Sequence, residues 1–466
     1  MADRVALTFE DRAYSAAELD ALTGGTAAAL AARGVCPGSR VAIMSSNRPE
    51  FVVALRAIWS LGAAAVLLSP AWKRAEVDHA LALTTPSHAV GDHPVLADLM
   101  PMLHLDEPVT ADPDGAGRPV PPEDADALFV FSSGTTGMPK AVRHTHGALR
   151  TAVRHWRDAL GLTAADRMQI MTPPSHILGL LNIVMALDTG TWIRLHRRFD
   201  IDRMLHHIQA DRITIEMAVA PIALALAGHP GLESYDLSSL RYIMWCATPV
   251  TQSVADAVTA RTGVGWIAAY GTTELPVIAC NPLQGGRLDT VGRPVPGVQV
   301  RIVSLDTGAP VGPGEEGEVQ ARSASVMAGY LPDQPGAFVE GWYRTGDVGY
   351  LDTDGWLRLT DRAKDMVKVR GFQVAPAEVE AVLHEHPAVD DCAVFGVPSP
   401  DGEALVAAVT RRGEVSADEL LALVGERLAS YKRPSRVVFV PEIPRLPSGK
   451  VLRRVLKERH GCPSDG

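Results

Sequence analysis

The chain is 466 residues long, 47% hydrophobic and 21% charged, with a formal net charge of -10. That apolar content supports a large buried core divided into about two to four folding units. The acidic balance, with no long basic run, excludes a sequence-independent grip on nucleic acid, which needs a positive surface to neutralise phosphates.

Residues 1–11 lack a basic region followed by an apolar one, so no secretory signal is expected and the protein should stay in the cytoplasm. Its five cysteines, Cys36, Cys246, Cys280, Cys392 and Cys462, include no C-x-x-C pair. They suggest a reducing compartment rather than a disulfide framework or a zinc site. From Tyr14 the pattern predicts an Ala-rich helix over 15–33, a turn at 34–38, a strand at 40–44 and a helix–strand pair over 48–68. The most apolar stretch, Phe51 to Pro70, is broken by Arg56 and Gly62, and predicts a buried helix and buried strand rather than a membrane span of about 20 residues. Such alternation continues to Ile278 and implies parallel strands under helices. Residues 106–124, rich in Pro, Asp and Gly, read as an exposed connector. Beyond Asn281, turn signals such as Pro296-Gly297, Pro313-Gly314 and Asp354-Gly355 mark short strands. Residues 372–460 read as strand, helix (376–385), strands (389–396, 404–410), helix (416–429), strand (436–440) and a basic terminal helix. The expected fold is a large α/β N-terminal domain, 1–361, of parallel sheets layered with helices plus a small β-rich subdomain. A small α+β C-terminal domain, 362–466, follows it.

The strongest chemical signal is Phe131-Ser132-Ser133-Gly134-Thr135-Thr136-Gly137-Met138-Pro139-Lys140, directly after the apolar strand Ala127 to Val130. Small residues let successive N–H groups curl around phosphate oxygens, hydroxyls add donors and Lys140 adds charge. It is not a Walker A loop, because Pro139 stands where the second Gly belongs and Ala141 replaces the metal-binding Ser/Thr.

This loop resembles that of the adenylate-forming superfamily of acyl- and aryl-CoA synthetases, peptide-synthetase adenylation domains and beetle luciferases. So do Tyr270-Gly271-Thr272-Thr273-Glu274, Tyr343-Arg344-Thr345-Gly346-Asp347, Asp361-Arg362-Ala363-Lys364-Asp365 and Pro447-Ser448-Gly449-Lys450. Pro221-Ile222-Ala223-Leu224-Ala225, Tyr235 to Leu240 and Gly371-Phe372-Gln373-Val374-Ala375-Pro376 look most like 4-coumarate-CoA ligases and luciferases. The resemblance implies activation of a carboxylic acid by ATP as its acyl-adenylate, then transfer to a thiol, that of CoA. A carboxylate attacking the α-phosphorus meets like charge, so cations must converge. By resemblance, Lys450 reaches the carboxylate and α-phosphate, Glu274 holds Mg2+, and Thr272 and Thr273 meet phosphates. Tyr270 lies against adenine, Gly271, Ala247 and Thr248 belong to the nucleotide-binding set, and Asp347 and Arg362 take the ribose. Lys364 is the hinge of a mobile C-terminal domain, and Lys368 and Gln373 beyond it serve the two half-reactions. His176, 36 residues past Lys140, stands near the substrate carboxylate. On these roles Lys140 and Glu274 must be neighbours.

The family's Ser-Gly-Ala-Ala-Pro-Leu segment is here Trp245-Cys246-Ala247-Thr248-Pro249-Val250, and Ala269 replaces the Gly before the adenine tyrosine. Side chains in place of hydrogens predict a shorter or narrower acid pocket, suited to a small or aromatic acid, with Ile177, Asn182, Met217 and Met244 as further lining. The pairs His144/His146, His206/His207 and His384/His386 lack the i, i+4 spacing of a helical metal site and read as structural or surface groups. Other acceptors fit the same motifs: a carrier-protein thiol, or an aryl amine in a diazotase-type relative that activates nitrite. A nucleotide-binding regulator without catalysis is opposed by Lys450, Glu274, Asp347 and Arg362.

Overall fold

In the computed structural model, the chain's described residues are 4–112, 121–132, 139–247, 250–363, 365–369, 372–399, 402–445 and 451–461. Local signals seat the elements much as the pattern predicts. The Ser15 side chain accepts from the Glu18 N–H and caps helix Ala16–Ala32, an N-cap bond that satisfies one orphan donor. Pro49 opens helix Pro49–Ser60 at its first turn, and strand Ala64–Leu68 follows with all five residues buried. Among the described residues no helix is long and apolar enough to cross a membrane.

Two compact units result, Met1–Gln299 with Ala321–Tyr343, and Val300–Gln320 with Arg344–Gly466. The first contains two sheets. In spatial order, the nine-stranded sheet runs Arg293–Pro294, Ala279–Cys280, Trp266–Tyr270, Tyr242–Trp245, Ile215–Ala218, Arg167–Ile170, Trp192–Leu195, Val5–Phe9, Arg12–Ser15. Its central pairs are parallel and its outer pairs antiparallel. The seven-stranded sheet runs Gly329–Leu331, Lys140–Thr145, Asp126–Ser132, Ala64–Leu68, Arg40–Met44, His88–Gly91, Met102–His104. Here too the middle is parallel, while Asp126–Ser132 and Lys140–Thr145 form an antiparallel pair.

In the second unit, strands Val389–Ser399 and Gly402–Arg411 pair antiparallel over a long register, and Arg436–Phe439 adds in parallel. Helices Pro376–His384 and Ala417–Arg427 bury Val379, Leu383, Leu420 and Val424 in a core shared with Val394, Ala407 and Val409. These elements fall within a residue or a few of the predicted ones. Strand Val367–Val369, paired with Phe372–Val374, was not predicted, because three residues between charged neighbours are too few to show alternation.

One buried polar network breaks the apolar pattern. Neighbouring strands place Gln169 beside Glu216, where Gln169 Nε2 donates to Glu216 Oε2 at 2.6 Å and to the Met204 carbonyl at 3.2 Å. His196 Nε2 in turn donates to Gln169 Oε1 at 2.9 Å. The other Glu216 oxygen has no partner among the described residues, and burial pushes this carboxyl up to about 8 from 4.5. The folded protein therefore keeps a proton that the unfolded chain releases, and stability falls as pH rises from the unfolded value to the folded one. Glu216→Gln preserves the shape and the bond from Gln169 without the ionisation. Its melting temperature should gain on the wild type steadily from about pH 5 to about pH 8 and level off above, a difference of a few kcal/mol at most. Parallel melting curves across that range would contradict the protonated state.

Candidate active site

The phosphate-loop motif joins two paired strands, with Ser132 opposite Lys140 in the antiparallel register. Ser133, Gly134, Thr135, Thr136 and Gly137 lie outside the described residues. At the loop's end His79 Nε2 donates to the Pro139 carbonyl at 2.9 Å. Lys140 Nζ donates to Gln334 Oε1 at 2.8 Å and sits 5.9 Å from the centre of the Tyr330 ring, within cation–π range.

Strand Trp266–Tyr270 leads into the second motif. A Cβ on Gly271 would come within 2.0 Å of the Pro276 carbonyl oxygen, so only glycine permits this close approach of backbone to backbone. The turn closes through Thr272 N–H to the Leu275 carbonyl and Leu275 N–H to Thr272 Oγ1, both 3.0 Å. The buried His144 donates from Nε2 to the Thr273 carbonyl at 2.8 Å; burial lowers its pKa, which favours the neutral ring. Met327 N–H holds the Glu274 carbonyl at 2.7 Å, and the Tyr330 hydroxyl donates to Glu274 Oε1 at 2.8 Å. Tyr343, deeply buried and hydrogen-bonded to Thr272, has its pKa raised well above that of an ordinary phenol, chiefly by burial. Tyr330 thus contacts both Glu274 and Lys140.

Of the expected acid-pocket residues, Met217, Met244, Cys246 and Ala269 lie at the carboxyl ends of parallel strands, where α/β sheets bind ligands. Met217 pairs with Met244 and Ala218 with Trp245, while Trp245 pairs with Ala268. By pleat alternation Met217, Met244, Cys246 and Ala269 share one face. Trp245 is on the other, its indole packed against Trp266 at 5.2 Å between centroids within a helix-covered core. Ala247 follows with φ of 68 degrees, an uncommon conformation for a residue with a Cβ, and Thr248 lies outside the described residues. Burial pushes the Cys246 thiol up to about 12, which removes it as a nucleophile.

His176 is the N-cap residue of helix Ile177–Thr189, with no side-chain cap bond. Burial lowers its pKa, so the ring is neutral at physiological pH. The helix start is pressed against the preceding turn, because a Cβ on Gly179 would meet the Pro173 carbonyl oxygen at 2.4 Å. Ile177 opens the helix, and Asn182 lies buried along it, its Oδ1 accepting from Trp156 Nε1 at 2.8 Å.

In the second unit Asp347 and Arg362 are register partners on adjacent strands, with Arg362 Nε 2.9 Å from Asp347 Oδ1. Lys368 and Gln373 are backbone register partners in a short antiparallel pair of strands. Lys364 and Lys450 lie outside the described residues. Asp361 accepts from the Ala377 N–H at 3.0 Å, and burial pushes its carboxyl up to about 6.

Tyr330, Gln334 and His144 were missed as supports of the site. His144 was read only as one of a histidine pair, and Tyr330 belongs to a Gly-Tyr-Leu triplet whose partner Glu274 is 56 positions away. A polar tip on a short strand beside the loop's own strand was the available signal.

The AMP-binding enzyme family model matches residues 1–331, and its C-terminal domain model matches residues 378–450. A 4-coumarate–CoA ligase from Solanum tuberosum is 35% identical, the match covering 96% of this chain and 89% of the relative. Among solved structures, ATP-bound MatB from Rhodopseudomonas palustris superposes with a TM-score of 0.93 at 28% identity, covering 99% of this chain and 96% of that one. The amide bond synthetase McbA from Marinactinospora thermotolerans gives 0.89 at 33% identity, covering 98% and 96%. With the phosphate-loop lysine and the Thr-Thr-Glu turn joined on one α/β scaffold, the chain belongs to the AMP-binding, adenylate-forming enzyme superfamily, in its acyl- and aryl-CoA synthetase branch.

Proposed function

We propose that this enzyme uses ATP and Mg2+ to convert a small or aromatic carboxylic acid to its acyl-adenylate and then passes the acyl group to CoA. The observation that carries the adenylation half is the linked set Lys140, Tyr330 and Glu274, a cation and an anion that both contact one tyrosine. In the first step a carboxylate oxygen attacks the α-phosphorus, the bond to the β-phosphate oxygen breaks, and pyrophosphate leaves. Lys140 neutralises charge at the phosphate loop, Lys450 meets the carboxylate and α-phosphate, and Tyr270 with Asp347 and Arg362 orients the nucleoside. In the second step the thiolate attacks the acyl carbon and AMP departs, with the neutral His176 ring beside the acid and Lys368 and Gln373 serving after a swing of residues 362–466 about Lys364.

Glu274 suits magnesium in its chemistry. Its carboxylate is a hard oxygen donor with lone pairs beyond the one that Tyr330 occupies. Magnesium is typically bound by one or two carboxylates plus substrate phosphates. Bound there, the ion would neutralise phosphate oxygens and make pyrophosphate a better leaving group.

CoA ligase relatives support the thiol acceptor. A second reading, an amine acceptor, is favoured by the likeness to an amide bond synthetase. Pyrophosphate exchange into ATP over a panel of acids, followed by CoA, a carrier protein or amines, separates them. CoA consumption coupled to AMP release is expected; exchange without CoA consumption overturns the thioester assignment. Lys450→Ala should cut adenylate formation by about two to three orders of magnitude, as for loss of a group that meets transition-state charge, while a supplied acyl-adenylate still reacts with CoA. Equal loss of both steps would contradict two poses of the C-terminal domain. Cys246 and Ala269 should exclude long chains, so a sixteen-carbon acid should turn over far more slowly than an aromatic one, and robust turnover would refute the narrow pocket.

A further inference from the structure

Tyr330 belongs to none of the motifs that indicate the reaction, yet it stands between two of them. Its strand, Gly329–Leu331, pairs antiparallel with Lys140–Thr145, with Tyr330 opposite Val142 and Leu331 opposite Ala141. Just upstream, Ala328 N–H donates to the Arg143 carbonyl and Met327 N–H to the Glu274 carbonyl, both at 2.7 Å. The segment is therefore stitched both to the strand after the phosphate loop and to the turn that bears Glu274.

From that seat the Tyr330 hydroxyl donates to Glu274 Oε1 at 2.8 Å while its ring lies 5.9 Å from Lys140 Nζ. Lys140 Nζ is held by the neutral Gln334 amide oxygen at 2.8 Å. Both groups contact one tyrosine, and an ion pair between them would neutralise each before a nucleotide arrived. A phenol O–H satisfies one lone pair of the carboxylate, keeps its charge and fixes its orientation. A ring face and an amide hold the ammonium without cancelling it.

We propose that Tyr330 is a positioning residue for the adenylation half-reaction. Its hydroxyl aims the Glu274 carboxylate at the magnesium–triphosphate, and its ring, with Gln334, keeps Lys140 from pairing with that carboxylate. This rests on Glu274 being the magnesium ligand.

Tyr330→Phe deletes the hydroxyl and keeps the ring. ATP binding is measured by calorimetry across a magnesium series, and pyrophosphate exchange across the same series, for the wild type, Tyr330→Phe and Glu274→Gln. Tyr330→Phe is expected to raise the magnesium concentration for half-maximal ATP binding by roughly tenfold or more, with a smaller change in the exchange rate at saturating magnesium. An unmoved midpoint in Glu274→Gln overturns the metal assignment and the proposal with it. A moved midpoint in Glu274→Gln with Tyr330→Phe coincident with wild type overturns the proposal alone. Should Tyr330→Phe fail to fold, Gln334→Leu tests the same idea from the lysine side. Lys140 is then free to pair with Glu274, so the midpoint should rise, and no rise overturns the proposal.

Discussion

A carboxylate and a triphosphate repel each other, by about 1 kcal/mol per charge pair at 4 Å in water and about 4 kcal/mol where the effective dielectric is near 20. A protein that joins them must keep positive charge available, although its own acids compete for it. Two arginines of the second unit show that competition decided: Arg362 lies against Asp347 and Arg453 against Glu380. Lys140 is held differently, by an amide and an aromatic ring. In the proposed reaction the paired Arg362 and Asp347 meet only the neutral ribose, whereas Lys140, with neutral partners, keeps its charge for the phosphates.

The scaffold holds this arrangement rigid by close backbone approach. Gly271 against the Pro276 carbonyl and Gly179 against the Pro173 carbonyl leave no room for a Cβ, so the turns that follow Tyr270 and His176 have little freedom to shift. Behind the strand that carries Met217, the face toward helix Ile201–Asp211 holds Glu216, Gln169 and His196 in one hydrogen-bonded chain. The two faces of one strand thus do different work, with a buried polar chain on one side and an expected pocket wall on the other.

Much of the framework was legible because hydrophobic periodicity and glycine or proline punctuation are local. The buried helix and strand over Phe51 to Pro70, and the long hairpin of the C-terminal domain, follow from that alone. Likewise the apolar strand read at Ala127 to Val130, ahead of the small residues that end in Pro139-Lys140, lies within strand Asp126–Ser132. Support for the site was not legible in the same way. Gln334 is 194 positions from Lys140 and His144 is 129 from Thr273, and no periodicity spans such a distance. Trp245 shows a subtler limit: it sits within a segment expected at the pocket, but the pleat sends alternate side chains to opposite faces, and register alone decides which face a residue takes.

The proposed swing about Lys364 meets a specific resistance. Ala377, in the first turn of helix Pro376–His384, has an N–H with no partner inside its helix, and Asp361 on the strand before the hinge fills that role at 3.0 Å. Arg453 reinforces the same corner, bonding Glu380 at 2.7 Å and approaching Asp365 at 3.7 Å. Rotation of the residues beyond 364 must either break the Asp361 cap or carry the strand Leu357–Arg362 along with the helix. Breaking it returns both groups to water, and a capping bond is worth only about 1 kcal/mol, so this cap can order one pose without forbidding another. A latch of that strength is compatible with the proposed change of position in each turnover.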